Sequence, residues 1–137
     1  MIVNTIWHGQ RAFTAVGDSG YEIKMDATPK YGGEGQGVTP TEMLLGALAG
    51  CIGIDVTMIL NRYLHEITKL EIETNGVRKE GLPSGFTDIE VIFKIDGAVD
   101  AKRIWRAIEL GKAKYCAVSD SLKANITFQL ILNGERA

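Results

Sequence analysis

Apolar and polar residues alternate with a period of two near both ends of the chain and in its middle, and follow helical spacing between those runs. "IVNTIW" and "RAFTAV" predict two short strands, "GDSG" a turn, and "YEIKMDA" a third strand. "TPKYGGEGQGVTP" holds four of the 16 glycines and two of the three prolines, so it predicts a loop. A long helix follows, from Pro40 to about His65. Thr39-Pro40-Thr41-Glu42 starts it as a capping box, with Thr39 at N-cap, Pro40 at N1 and Glu42 at N3. Its first three turns are apolar on nearly every side, the pattern of a helix enclosed by protein.

Beyond the helix, "LEIETNGVRK" and "TDIEVIFKID" alternate as strands around the turn-rich "EGLPSGF". Asn75-Gly76 reads equally as a tight turn or a bulge. Ala101, Ile104, Ile108, Gly111 and Tyr115 recur at helical spacing, "VSDSLKA" allows a further short helix, and "NITFQLILNG" is the last strand. The order β-β-β-α-β-β-α-β predicts an α+β fold in a single domain, residues 1–137. One small sheet cannot cover an all-apolar helix. A second subunit over the remaining face would, so the pattern predicts a homodimer.

Charge narrows the function. Fifteen Lys and Arg stand against 17 acidic residues, which gives no basic face for nucleic acid. The start "MIVNTIWHGQRAF" lacks the pattern of a secretory signal, and the longest uncharged apolar stretch, Met43 to Ile54, is short for a membrane span. The expected location is the cytoplasm, where thiols stay reduced. With no Cys-x-x-Cys and only His8 and His65, a metal site is not expected, and no cofactor is implied.

Two cysteines carry the candidate chemistry. Cys51 lies mid-helix among Gly46, Gly50 and Gly53, and Cys116 follows 65 residues later. Taken alone, each is as readily a packed core thiol as a reactive one. Asp55, four residues after Cys51, shares its helix face, and would either hold an Arg or sit at the margin of the buried section, paired with Arg62 or water.

"TPTEMLLGALAGC" with "CAVSDSLKANI" resembles the OsmC/Ohr family, the osmotically inducible and organic hydroperoxide resistance proteins. The likeness follows the element order over nearly the whole chain. It implies an OsmC-like fold with a long buried central helix, an intertwined homodimer, and two sites per dimer. It also implies reduction of organic hydroperoxides with a thiol or dihydrolipoyl reductant. By motif position Cys51 attacks the peroxide and Cys116 resolves it as a disulfide, and Arg11 is either the cation beside the reactive sulfur or a solvated strand-end residue. Lys24 and Arg78 are weaker matches for that cation. The family's acid directly after the Pro is Thr41 here, and Glu42 is the only carboxylate near. On a straight helix Glu42 lies about 180° from Cys51 and position 41 about 80°. Glu42 is therefore either the clamp acid or only the cap. Ala117 replaces a family proline.

The resemblance thus implies a peroxidase acting on small apolar hydroperoxides with a dithiol reductant. An alternative keeps the fold but loses the Arg–Glu clamp, as a non-enzymatic stress or ligand-binding protein. A Cys51 hydrolase is a third reading and lacks a base, since neither His8 nor His65 forms a recognisable dyad. Trp7 and Trp105 are expected as core or interface anchors, and "YGGEGQG" as a mobile flap without the ending of a phosphate loop.

Overall fold

A computed structural model describes the whole chain, Met1–Ala137. It divides into two compact units, Met1–Leu44 and Leu45–Ala137, with the boundary inside the long helix. The fold is α+β, in the predicted element order with a short final strand and several short helical turns added.

The first unit is an antiparallel sheet of β1 (Asn4–Trp7), β2 (Phe13–Val16) and β3 (Glu22–Met25), in that spatial order. Its apolar side chains are largely uncovered. Ile6 is 56% exposed and Trp7 63%, so Trp7 is not a core residue. A single short sheet has too little partner surface to bury them.

The Gly-rich loop behind β3 is fastened rather than free. The buried carboxylate of Asp26 accepts the N–H groups of Ala27 (2.7 Å), Glu34 (3.2 Å) and Gln36 (3.1 Å). A Cβ on Gly33 would lie 1.9 Å from the Ala27 carbonyl, so only glycine lets the loop close onto that strand end. This replaces the expected mobile flap with a loop wrapped on one carboxylate. The N–H of Gln36 is the largest influence holding the Asp26 carboxyl below its ordinary range, with Glu34 and Ala27 adding to it against burial. A lowered folded-state value stabilises the fold above the unfolded carboxylate value, and that contribution is lost as pH falls through the folded one. The protection of the Glu34 and Gln36 amides, taken as observed exchange relative to the intrinsic rate at each pH, should therefore fall on acidification in the wild type. In Asp26→Ala it should be low at neutral pH already.

In the second unit β4 (Ile67–Arg78), β5 (Phe86–Gly97), β6 (Asn125–Leu132) and β7 (Glu135–Arg136) form one sheet in that order. β4 and β5 are antiparallel, and β6 runs parallel to β5 after a helical crossover. That crossover is α2 (Ala101–Leu110), capped by the Asp100 carboxylate on the Lys102 N–H (3.2 Å), then the short α3 (Ala117–Ser121). Ile89, Val91, Phe93 and Ile95 alternate onto one face of β5 and are fully buried. They meet Leu48, Ile52 and Val56 of α1 (Pro40–Ile59), and Ile104, Ala107 and Ile108 of α2. Trp105 packs on the edge of this core and donates its indole N–H to the Ala137 carbonyl (3.2 Å).

Two boundaries differ from expectation. α1 stops at Ile59, and Asn61–Glu66 tighten into a 3₁₀ segment that takes up the loose ends of the helix. β7 is added by a turn at Asn133-Gly134, where both residues have positive φ, 51° and 81°.

α1 buries only one stripe within the chain. Gly46, Ala47, Gly50, Ile54 and Met58 share the opposite face and are exposed, Ile54 by 62% and Met58 by 70%. A Cβ on Gly46 or Gly50 would meet nothing within 4 Å, whereas one on Gly53 would lie 2.9 Å from Ile72 Cδ1 of β4. The enclosed helix of the sequence reading is thus half-enclosed by its own chain.

Candidate functional site

Cys51 and Asp55 stand one turn apart on α1, half-buried. Cys116 comes to them from the far end of α2. There the helix widens into a π-helical turn, Gly111–Tyr115, closed by the Cys116 N–H on the Gly111 carbonyl (2.8 Å). Gly111 lies flat against α1, where a Cβ would be 3.0 Å from Ile52 Cδ1 and 3.5 Å from Asp55 Cβ. The backbone then turns extended at Cys116, which becomes the N-cap of α3 and is 3% exposed. As a result the sulfurs of Cys51 and Cys116 and a carboxylate oxygen of Asp55 lie within 4.8 Å of one another. Both cysteines are free thiols.

The start of α3 supplies donors to both sulfurs. The Ser119 N–H reaches Cys116 Sγ at 3.4 Å, and the Ser119 hydroxyl donates back to the Cys116 carbonyl (3.0 Å). The Val118 N–H comes near enough to the Cys51 sulfur to favour its charged form. Mid-helix, Cys51 has no donor in its own helix; a second helix provides one, because the first N–H groups of α3 have no partner inside it.

Val118 is the largest single influence on the Cys51 thiol and pulls its pKa down. Burial, the hydrogen bond and charge of Cys116, and the charge of Asp55 push it up, and together they leave it above the ordinary thiol value. Cys51 is therefore not poised to ionise in this arrangement, contrary to what a nucleophile was expected to show. Asp55 is not held by Arg62 or any other cation, and its Oδ2 is buried without a hydrogen-bond partner. In metal-free protein, Asp55→Asn should lower the Cys51 pKa. The check is the pH profile of thiol alkylation, which should move to lower pH; an unmoved profile would remove Asp55 from the balance.

Of the remaining expected site residues, Glu42, Arg11 and Lys24 belong to the first unit and Arg78 to the second. Glu42 closes the capping box: its Oε2 accepts the Thr39 N–H and hydroxyl, both at 2.9 Å, and the Glu42 N–H returns to Thr39 Oγ1 (3.4 Å). Those two donors, the backbone one first, hold the Glu42 carboxyl below its ordinary range. Its oxygen is committed to the cap and not to an arginine clamp. Arg11 donates to the Gln10 carbonyl (3.2 Å), lies beside Gly32, and lines a cleft of about 300 Å³ with Phe13, Met25, Asp26 and Pro40. Lys24 is on β3, and Arg78 lies over the Phe86 ring at 5.5 Å. Asp55, Val118 and Gly111 are the contributors that sequence reasoning underweighted or missed. Only the i, i+4 spacing of Cys51 and Asp55 signalled any of them.

Residues 33–131 match the family model described as OsmC-like protein. Protein YhfA of Escherichia coli K12 is 34% identical over 126 residues, covering 88% of this chain and 90% of that protein. The crystal structure of a hypothetical protein from Aquifex aeolicus superposes with a TM-score of 0.82 at 27% identity, over 96% of this chain and 95% of that one. An organic hydroperoxide resistance protein, OsmC, from Legionella pneumophila shares the fold at 15% identity and a TM-score of 0.64, over 96% and 94% of the two chains.

Proposed function

Since this chain belongs to the OsmC-like protein family, we propose that it is a thiol-dependent peroxidase that reduces small apolar organic hydroperoxides. The observation that carries this reading is the meeting of Cys51 and Cys116, 65 residues apart in sequence, at one half-buried point. Relatives of the same fold described as organic hydroperoxide resistance proteins supply the substrate class.

The chemistry runs in two displacements. The Cys51 thiolate attacks the peroxide: an S–O bond forms, the O–O bond breaks, and the alkoxide leaves as alcohol after taking a proton. Cys116 then attacks the sulfenic sulfur; an S–S bond forms and water leaves. An external dithiol restores both thiols by exchange, becoming the disulfide itself. The Val118 N–H stabilises the reacting thiolate. Because the Cys51 pKa is raised, turnover should climb from neutral toward alkaline pH as the thiolate fraction grows.

The chain would act as a homodimer in the cytoplasm. Gly46, Gly50, Ile54 and Met58 offer a second copy an apolar helix face with small residues for close approach. α1 has the length and apolarity of a membrane span, but its Leu48-Ile52-Val56 stripe is given over to the sheet. Ile54→Lys should convert dimer to monomer, read by light scattering.

The test of activity is to mix reduced protein with an organic hydroperoxide and follow peroxide loss and protein mass. Catalytic loss, with the mass falling by two hydrogens before the dithiol is added, is the expected result. A second reading, a non-enzymatic member of the same fold, is favoured by the raised Cys51 pKa and by Thr41 in place of the clamp acid. It would be upheld if peroxide disappeared no faster than in buffer.

A further inference from the structure

We propose that the reduced protein binds one thiophilic divalent cation, of the zinc type, through Cys51, Asp55 and Cys116. The donors come from separate parts of the chain: two from one face of α1 and the third from the cap of α3. Their ligand atoms lie within 4.8 Å of one another. Around tetrahedral zinc, with bonds of about 2.3 Å to sulfur, ligand atoms sit roughly 3.8 Å apart, so a small contraction closes the set.

Three further observations favour a ligand here. The Asp55 Oδ2 is buried with no hydrogen-bond partner, a costly arrangement that a cation would relieve. The Ser119 N–H donates to the Cys116 sulfur and the Val118 N–H acts on that of Cys51, as outer donors do around metal thiolates. Gly111 keeps the π-helical turn close against the Asp55 side of α1, walling the point from one side.

Sulfur selects the metal. Calcium and magnesium require oxygen donors, whereas two thiolates and a carboxylate suit zinc. Their three negative charges outweigh its two positive ones, and a water would complete four-coordination. On binding, two S–H bonds break, two metal–sulfur bonds form and two protons pass to solvent. Nothing is oxidised or reduced. Since the disulfide uses the same two sulfurs, the oxidised protein cannot hold the cation. The site shares residues with the peroxidase reading but does not depend on it.

The test is a titration of reduced, chelator-stripped protein with Co²⁺ in the absence of peroxide, followed by Zn²⁺. One equivalent per chain should produce the thiolate charge-transfer and intense d–d bands of a tetrahedral site, and Zn²⁺ should abolish them. Zn²⁺ alone should release two protons per equivalent. Asp55→Asn keeps both thiols and the side-chain shape, and should weaken binding about 100-fold, the upper range seen even for lost outer-shell partners. Protein oxidised to the disulfide with diamide should show no bands, which tests the thiols without any substitution. Absent bands in the reduced wild type would overturn the proposal. So would wild-type affinity in folded Asp55→Asn, or bands that persist in the disulfide form. A protein that binds cobalt but spares peroxide would refute the peroxidase alone.

Discussion

Cys51→Ser protein, freed of metal and given a dithiol, should consume organic hydroperoxide at least about 1,000-fold more slowly than wild type, because a serine hydroxyl has no comparable anionic nucleophile at neutral pH. Cys116→Ser should behave differently. Its first turnover should still consume one equivalent, since Cys51 and the Val118 N–H remain. With the dithiol withheld, the sulfenic acid then has no thiol to condense with, so the mass should rise by one oxygen and then by more as overoxidation proceeds. The contrast matters more than either loss. Two variants equally slow from the first turnover would mean that the thiols act as packing. Serine at 51 with normal turnover would reassign the nucleophile.

Phe93→Ala should produce the largest loss of stability. Phe93 is the largest of the fully buried side chains and lies in the row Ile89, Val91, Phe93, Ile95 between α1 and α2. Truncating a buried phenylalanine costs roughly 3–5 kcal/mol through lost transfer energy and the cavity left behind. Domains of this size are stable by only about 5–15 kcal/mol, so the loss is a large part of the whole. Urea unfolding should show a much lower midpoint with little change in slope. A shift under roughly 1 kcal/mol would mean that the two helices collapse into the space. The site should loosen with it, since Ile52 and Ile108 belong to the same cluster as Cys51 and Cys116.

Local chemistry was legible wherever the partners are close in sequence. Thr39 and Glu42 are three residues apart, and the capping box formed from them as read. Alternation in "TDIEVIFKID" placed Ile89, Val91, Phe93 and Ile95 on the buried face. The two Asn-Gly pairs show where this stops. Asn133-Gly134 makes a turn with left-handed backbone at both residues, while Asn75-Gly76 runs straight through β4 opposite Glu90 and Ile89. At the second, the Phe86 ring occupies the place of a side chain: a Cβ on Gly76 would lie 2.4 Å from it. The same dipeptide serves as turn or as clearance, according to a residue that local sequence does not reveal.

By itself the sequence determined the α+β element order, the helix start at Pro40, the family, and the identity of the two thiols, since each rests on local periodicity or a contiguous motif. Only the tertiary structure decided that Asp55 joins those thiols with one oxygen unpartnered, that peptide N–H groups from α3 reach both sulfurs, and that burial, Cys116 and Asp55 leave Cys51 reluctant to ionise in spite of them. These depend on a π-helical turn carrying Cys116 onto α1. Proximity across 65 residues, and the field it creates, arise from packing and not from spacing along the chain.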